Sequence, residues 1–190
     1  VFIHAFTDGR DTDPNSGIRF LEKLQQHLSG SAGKIASVIG RYYAMDRDKR
    51  WERVKLAYEM LVHGQGKRCF DVIEAVRESY KEGITDEFIK PVVLEEDGKM
   101  VPRIAEGDLV LCFNFRTDRC REITMALTQS DFPEYNMRKM TLHYITMTNY
   151  DAKFVNVTPV FVKEELNSTL GEVISKAGKS LYWFLRFHLN

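Results

Sequence analysis

Short apolar runs and segments of helical periodicity alternate along the chain. Runs typical of buried strands occur at residues 1–6, 34–39, 108–115 and 140–147. Between them, apolar side chains recur at three- and four-residue intervals, which predicts helices at about residues 16–29, 48–63, 69–82 and 120–129. Strands that alternate with helices indicate an α/β fold, which we predict to be an open sheet with helices on both faces.

Local signals add three predictions. A two-residue turn at Asp97-Gly98 predicts a hairpin formed by residues 90–94 and 99–104. The segment Thr169–Glu172 matches a capping box and predicts the start of a further helix. Thr85-Asp86-Glu87 is interpreted as an ordinary helix cap followed by acidic residues in the first turn.

Composition limits the class of protein. With 190 residues, 44% of them hydrophobic, the chain can bury a core as one domain or as one domain with a short appendage. Lysine plus arginine number 27, as do aspartate plus glutamate, and this neutral balance disfavours a nucleic-acid-binding protein. No apolar run approaches the ~20 residues that span a bilayer, so we predict no membrane partner. The chain opens inside a strand-like run without methionine, so we expect a piece of a longer polypeptide.

Three cysteines form no CxxC pair, which favours a reducing compartment over a disulfide scaffold or a zinc site. Cys112 and Cys120 are interpreted as inert thiols, because no base is adjacent to them in sequence. The five histidines are scattered without metal-ligand spacing, and we interpret them as packing or surface residues.

The densest charge lies between Gly40 and Val54, where four arginines and a lysine occur with three acidic residues. Guanidinium groups in a loop before a helix N-terminus form a favourable seat for a small anion. The alternative is a solvated helix start with ion pairs.

Two other strand-following loops carry arginines, and this favours the anion site. If the strands are parallel neighbours, the charged groups meet in one crevice at their carboxyl ends. Such a pocket suits a compact ligand with several negative charges, such as a phosphorylated hydroxy acid. Asp11 then either holds Arg10 in place or accepts a proton from a hydroxyl, with a pKa lowered by the arginines. The predicted site residues are Arg10, Asp11, Arg41, Arg47, Arg116 and Arg119.

Four segments carry a resemblance: HAFTDGRDTDP (4–14), IGRYYAMDRDKRWERVKLAY (39–58), ITDEFIKP (84–91) and FNFRTDR (113–119). They resemble the signatures of the cofactor-independent, 2,3-bisphosphoglycerate-independent phosphoglycerate mutases of the alkaline phosphatase superfamily. The resemblance implies that residues 1–165 form the inserted substrate-binding, or transferase, domain. It also implies that residues 166–190 form a return helix and linker towards a phosphatase domain.

The resemblance also implies roles. The six predicted residues line the substrate site, with Arg116 and Arg119 on the substrate phosphate. The reaction interconverts 3-phosphoglycerate and 2-phosphoglycerate through a phosphoserine, and a pair of manganese ions in the phosphatase domain supports that chemistry. The inserted domain holds the glycerate while it reorients. A cytoplasmic, glycolytic isomerase is therefore expected.

The chain also departs from the family. No nucleophilic serine motif is recognisable, so we expect residues 1–190 to be inactive alone. The apolar tail 179–190 breaks the resemblance, as a frameshifted or truncated end or as a partner-binding strand. The alternative function is a stand-alone, non-catalytic module that binds a phosphorylated acid. An RNA-contacting domain is disfavoured by the neutral charge.

Overall fold

The computed structural model describes residues 1–96, 98–100, 103–162 and 168–180. Within them eight strands occur: β1 (Phe2–Thr7), β2 (Lys34–Gly40), β3 (Lys67–Cys69), β4 (Val92–Glu96), β5 (Lys99–Met100), β6 (Leu109–Cys112), β7 (His143–Thr148) and β8 (Val157–Phe161). The α-helices are α1 (Gly17–Leu28), α2 (Arg41–Ala44), α3 (Trp51–Tyr58), α4 (Val72–Lys81), α5 (Arg121–Thr128) and α6 (Leu170–Lys176). A π-helical turn over Glu59–His63 continues α3.

The strands form two sheets. The first has the order β1-β2-β4-β3, with β5 paired to β4. In it β1 is parallel to β2 and β3 is parallel to β4, whereas β2 and β4 are antiparallel. The second sheet has the order β6-β7-β8 and is entirely parallel. The α/β fold is therefore confirmed, but its strands lie in two sheets rather than in one.

Helices cover both faces of the first sheet, as predicted. Along β4, Val92 and Leu94 pack in the apolar cluster that contains residues of α1 and α4. Val93, between them, points to the opposite face, into the cluster formed with α3 and α5. That second cluster includes Tyr144 of β7, so α3 and α5 pack between the two sheets. Each fully buried apolar side chain contributes about 1.5–3 kcal/mol to this packing.

Several predicted boundaries shift for local reasons. The helix predicted at 69–82 begins at Val72, because Asp71 accepts hydrogen bonds from the next backbone N–H groups and caps it. The run predicted as a strand to residue 115 ends at Cys112, where Asn114 accepts a hydrogen bond from the Arg116 N–H and turns the chain. The capping box at Thr169 is confirmed.

Other predictions meet the limits of the described residues. The predicted hairpin has β4 and β5 as its strands, and Asp97 of its turn lies outside the described residues. Residues 181–190 of the apolar tail also lie outside them. Strands β3 and β8 are absent from the sequence predictions. None of the helices in the described part combines the length and apolar composition needed to cross a membrane.

The buried carboxylate of Asp86 ties the first sheet to its loops. It accepts hydrogen bonds from the Gly17 N–H at 2.7 Å and from the Tyr80 hydroxyl at 2.5 Å. The Thr7 hydroxyl, at the end of β1, donates to the Asp86 backbone carbonyl at 2.7 Å. A Cβ atom at position 17 would lie 2.5 Å from this carboxylate, so a side chain there would force the carboxylate to move.

An apolar cavity of about 920 Å³ lies between β1 and β6. Within the described residues, the outer edges of these two strands pair with no other strand. Leu109 and Leu111 of β6 line the cavity and are 68% and 51% exposed. Unpaired strand edges next to exposed apolar side chains favour association, so we expect this cavity to bind apolar probes.

We predict that Asp86→Ala lowers the free energy of unfolding by about 2–4 kcal/mol, because it removes a buried carboxylate and leaves two partly buried donors without a partner. Urea unfolding followed by circular dichroism measures this change. The control is Glu134→Ala at an exposed residue, which should change the free energy by less than about 0.5 kcal/mol. Equal effects of the two substitutions would contradict the structural role of Asp86.

We also predict that the isolated chain binds the dye anilinonaphthalene sulfonate through the cavity between β1 and β6. Replacing Leu109 and Leu111 together with serine should lower the dye fluorescence about twofold, because apolar contact area is lost. The matched control is Phe70→Ser, which removes a side chain that is 81% exposed but does not line the cavity. A similar loss in both proteins would show that the dye binds elsewhere.

Candidate functional site: an arginine cluster at three loops

The predicted site residues lie on the three loops that follow β1, β2 and β6. The parallel pairing of β1 with β2 places Thr7 opposite Gly40, so the first two loops leave the sheet at the same edge. The loop after β6 reaches them although β6 belongs to the second sheet. The loops therefore meet between two sheets, not at the edge of a single one.

Arg41 joins the first loop to the second. It is the first residue of α2, and only 4% of it is exposed. Its Nη1 atom lies 2.5 Å from Asp8 Oδ1 and 2.9 Å from Asp11 Oδ2. A buried guanidinium that bridges two carboxylates fixes the distance between the loops that carry them.

Asp11 extends this bridge to the third loop. Its Oδ2 atom also accepts a hydrogen bond from Arg116 Nη1 at 3.1 Å, across 105 positions of sequence. One carboxylate oxygen thus receives two guanidinium groups from different loops. Asp11 thus connects Arg41 to Arg116 and has a structural role in this arrangement, referred to below as its strut role.

The third loop is also bound to the second. Arg47 Nη1 lies 2.7 Å from Asp118 Oδ2. Arg119 Nη1 donates a hydrogen bond to the backbone carbonyl of Met45 at 3.2 Å. These two contacts run in opposite directions between the loops and hold them in register.

A cavity of about 310 Å³ lies beside these contacts. Of the predicted site residues, Arg10, Arg41 and Arg119 line it, whereas Asp11, Arg47 and Arg116 do not. Arg10 is largely exposed, and its Nη1 lies 3.6 Å from Glu87 Oε1. The arginines of the cavity wall are Arg10, Arg41, Arg50, Arg53 and Arg119.

Arg50 and Arg53 were in the arginine-rich segment but not among the predicted site residues. They stand at the start of α3, and their three-residue spacing places them on one helix face, a signal that was available in the sequence. The Arg53 guanidinium carbon lies 3.8 Å from the centre of the Tyr42 ring. Both side chains also face Asp46, at 4.0 Å for Arg50 and 3.5 Å for Arg53.

The arginines crowd one another around Arg119. Partial burial lowers the pKa of Arg119, and the positive charges of Arg41 and Arg47 lower it further. Asp118 offsets only part of this effect. Repulsion between neighbouring guanidinium groups is weakened when an anion binds between them. The electrostatics of the cluster therefore suit a negatively charged ligand.

Asp8 and Asp11 are carboxylates of low basicity. Hydrogen bonds from Arg41 and Arg116 lower the pKa of Asp11. For Asp8, partial burial acts in the opposite direction, but hydrogen bonds from Arg41 and two backbone N–H groups outweigh it and lower the pKa. The role of Asp11 as an acceptor of a hydroxyl proton therefore stays a prediction that requires its arginine partners to move.

The turn Asp86–Phe88 forms part of the cavity wall through Glu87 and Phe88. Thr85 occupies the N-cap position and Asp86 and Glu87 lie in the first turn, as predicted, but Thr85 makes no side-chain cap hydrogen bond and Asp86 is fully buried. Sequence alone gave no signal for the burial, since the partners of Asp86 lie on β1, α1 and α4.

The thiols of Cys112 and Cys120 lie together behind the third loop. Asn114 Nδ2 lies 3.2 Å from Cys120 Sγ, and the Tyr150 hydroxyl donates to the Asn114 carbonyl. A hydrogen bond with Cys120 lowers the pKa of Cys112 and outweighs the opposing effect of burial. The same coupling raises the pKa of Cys120, so the two thiols share one effect, and their interpretation as inert stays a prediction.

Within the described ranges, no group of three or more His, Cys, Asp or Glu side chains is close enough to hold a metal ion. His4, one of the five histidines, hydrogen-bonds through Nδ1 to Ser37 Oγ at 2.7 Å, and burial lowers its pKa to about 4. The acidic residues near the cavity are bound to arginines instead, so they do not fit a manganese pair.

Comparison with known proteins then decides the family. The family profile described as "BPG-independent PGAM N-terminus (iPGM_N)" matches residues 1–152. The chain belongs to the 2,3-bisphosphoglycerate-independent phosphoglycerate mutase family. The resemblance seen in the sequence is thereby confirmed. The division of the chain at residue 165 stays a prediction.

Relatives of this mutase family span the chain almost completely. The mutase of Bacteroides thetaiotaomicron is 58% identical over 180 residues, which is 94% of this chain and 35% of that protein. The mutase of Flavobacterium johnsoniae is 55% identical over 94% of this chain and 36% of its own length. A crystal structure of Leishmania mexicana phosphoglycerate mutase, solved at low cobalt concentration, matches with a TM-score of 0.78 and 30% identity over 93% of this chain and 34% of that one. The chain thus spans about a third of the length of these mutases.

We predict that Arg41→Met raises the pKa values of the Asp8 and Asp11 carboxyls, because it removes their shared hydrogen-bond donor and nearest positive charge. Carbon-13 NMR of the carboxyl groups during a pH titration measures both. Arg138→Met, at an exposed arginine outside the cavity wall, is the control and should leave both titration curves in place. Unchanged curves in Arg41→Met would contradict the bridge.

Proposed function

We propose that this chain is the substrate-binding part of a glycolytic phosphoglycerate mutase that interconverts 3-phosphoglycerate and 2-phosphoglycerate. The observation that carries the proposal is the meeting of guanidinium groups from three loops at one cavity of about 310 Å³. Family membership supports the same conclusion.

The geometry supports a division of labour among the arginines. Arg10, Arg41 and Arg119 face the cavity and offer planar donor pairs to the phosphate and carboxylate oxygens of a phosphoglycerate. Arg116 and Arg47 do not line the cavity. They form ion pairs with Asp11 and Asp118, respectively. The chain would then bind the glycerate, orient it and keep it from water while its acceptor hydroxyl changes.

We assign the phosphoryl chemistry to a phosphatase domain outside residues 1–190. A phosphoserine there would carry the phosphoryl group, and a pair of manganese ions would supply charge stabilisation when bound. On this proposal the partner is that domain of the same polypeptide, and the location is the cytoplasm, where glycolysis runs. Residues 1–190 alone would bind substrate without turning it over.

We predict that adding 3-phosphoglycerate shifts the amide NMR signals of Arg10, Arg41 and Arg119 together, because one anion contacts all three loops. Arg119→Ala should weaken binding about 10- to 100-fold, since it removes a partly buried positive charge. Arg138→Ala is the matched control and should bind normally. Glycerate without phosphate should bind far more weakly than 3-phosphoglycerate.

Ligand binding and turnover measurements distinguish this proposal from the alternatives. Equally strong binding of unrelated phosphorylated acids would favour a stand-alone binding module, and turnover by the full-length polypeptide would favour the mutase. A response confined to oligonucleotides, with a steep dependence on salt, would overturn both.

A further inference from the structure

Glu122 is a buried acid next to the arginine cluster that none of the site assignments uses. It is the second residue of α5, and only 5% of it is exposed. Its Oε1 atom accepts a hydrogen bond from the Lys49 N–H at 2.8 Å. Its Oε2 atom is buried and has no hydrogen-bond partner within the described part of the chain. A buried carboxyl oxygen without a partner is costly and calls for a physical reason.

The loop that Glu122 contacts, residues 45–50, is organised by a second buried acid. Asp46 is also 5% exposed, and its Oδ1 accepts hydrogen bonds from the N–H groups of Asp48 at 2.9 Å and Arg50 at 3.0 Å. Lys49 has a φ of 58°, a left-handed conformation that is unfavourable for a residue with a side chain. The hydrogen bond to Glu122 therefore holds a strained residue at the turn of this loop.

This loop connects the cluster to α5. Its Met45 carbonyl accepts a hydrogen bond from Arg119, and its Arg47 pairs with Asp118, both on the segment just before α5. Those two contacts are at the surface or partly exposed, whereas Glu122 is buried. The geometry points to Glu122 as a positioning residue for the anion site: it latches the loop 45–50 to α5 and so sets the spacing between Arg47, Arg41 and Arg119.

The charge of Glu122 fits this role. Burial raises the pKa of Glu122, and the neighbouring carboxyls of Asp46 and Asp48 raise it further, against the opposing hydrogen bond from Lys49. Glu122 therefore retains its proton to a higher pH than an exposed glutamate does. A protonated Glu122 carboxyl would donate a hydrogen bond to Asp46, and this interaction also contributes to the raised pKa. The positive groups that face the pair are Arg50 and Arg53, which contact Asp46 Oδ2.

Ionisation of Glu122 would place two buried negative charges side by side. The latch should then loosen as the pH rises through the pKa of Glu122 in the folded protein, because like charges repel. Glutamine keeps an oxygen for the Lys49 N–H and offers a permanent N–H donor to Asp46. Methionine has a similar size but provides neither.

The experiment compares wild type, Glu122→Gln and Glu122→Met, and it rests on the proposed function for its ligand, 3-phosphoglycerate. At slightly acidic pH, Glu122→Gln should bind within about twofold of wild type, and Glu122→Met should bind at least about tenfold more weakly. The ratio of the wild-type and Glu122→Gln dissociation constants should rise with pH. Protonation of 3-phosphoglycerate itself affects both dissociation constants equally, so it does not change that ratio. A constant ratio together with wild-type affinity in Glu122→Met would overturn the inference.

A second readout does not depend on the ligand. The Lys49 amide should be protected from hydrogen exchange in wild type and Glu122→Gln and exposed in Glu122→Met, and its NMR shift should titrate with pH only in wild type. If wild type binds no 3-phosphoglycerate, the proposed function fails, while the Lys49 amide still decides whether Glu122 holds the loop. Equal protection in all three proteins would overturn the latch.

Discussion

The buried carboxylate of Asp86 is the interaction on which the site geometry depends. It links the start of α1 to Tyr80 of α4, and the backbone of its turn receives the hydroxyl at the end of β1. The same turn packs so closely on Gly17 and Gly40 that a Cβ atom at either position would overlap it. Because β1 and β2 end at this turn, the loops that carry Arg10 and Arg41 leave from a fixed base.

Charge balance is the second constraint on these loops. Two like charges 4 Å apart repel by about 4 kcal/mol at the effective dielectric constant of a protein surface. The arginine pairs of this site are tolerable because Asp8 and Asp11 stand between them, with Asp118 on the far side. Arg119 is the exception, since it meets a backbone carbonyl rather than a carboxylate. The five arginines of the cavity wall exceed its three acidic residues, Asp46, Asp48 and Glu87, so positive charge remains directed at the cavity.

Much of this architecture was predictable from periodicity and local chemistry. The apolar runs at residues 34–39 and 140–147, the helix of α1 and the cap at Thr169 follow from short-range patterns that the fold preserves. The split into two sheets was not predictable, because strand pairing depends on which edges meet in space. The burial of Asp86 and Glu122 was not predictable for a similar reason. Each looks like a surface acid in the sequence, and only residues distant in sequence bury it.

The strut role of Asp11 and its predicted role as a proton acceptor are consistent as successive states. While Arg41 and Arg116 both bind its Oδ2 atom, the low pKa makes Asp11 a poor base. An anion in the cavity would compete for the Arg41 guanidinium, which lines the cavity wall, whereas Arg116 lies outside that wall. Each hydrogen bond that shifts from Asp11 to the anion removes a cause of the low pKa, so binding itself raises the basicity of Asp11. If Asp11 accepts a proton, as predicted, the arrival of a negative charge next to Arg41 would make this carboxylate more basic.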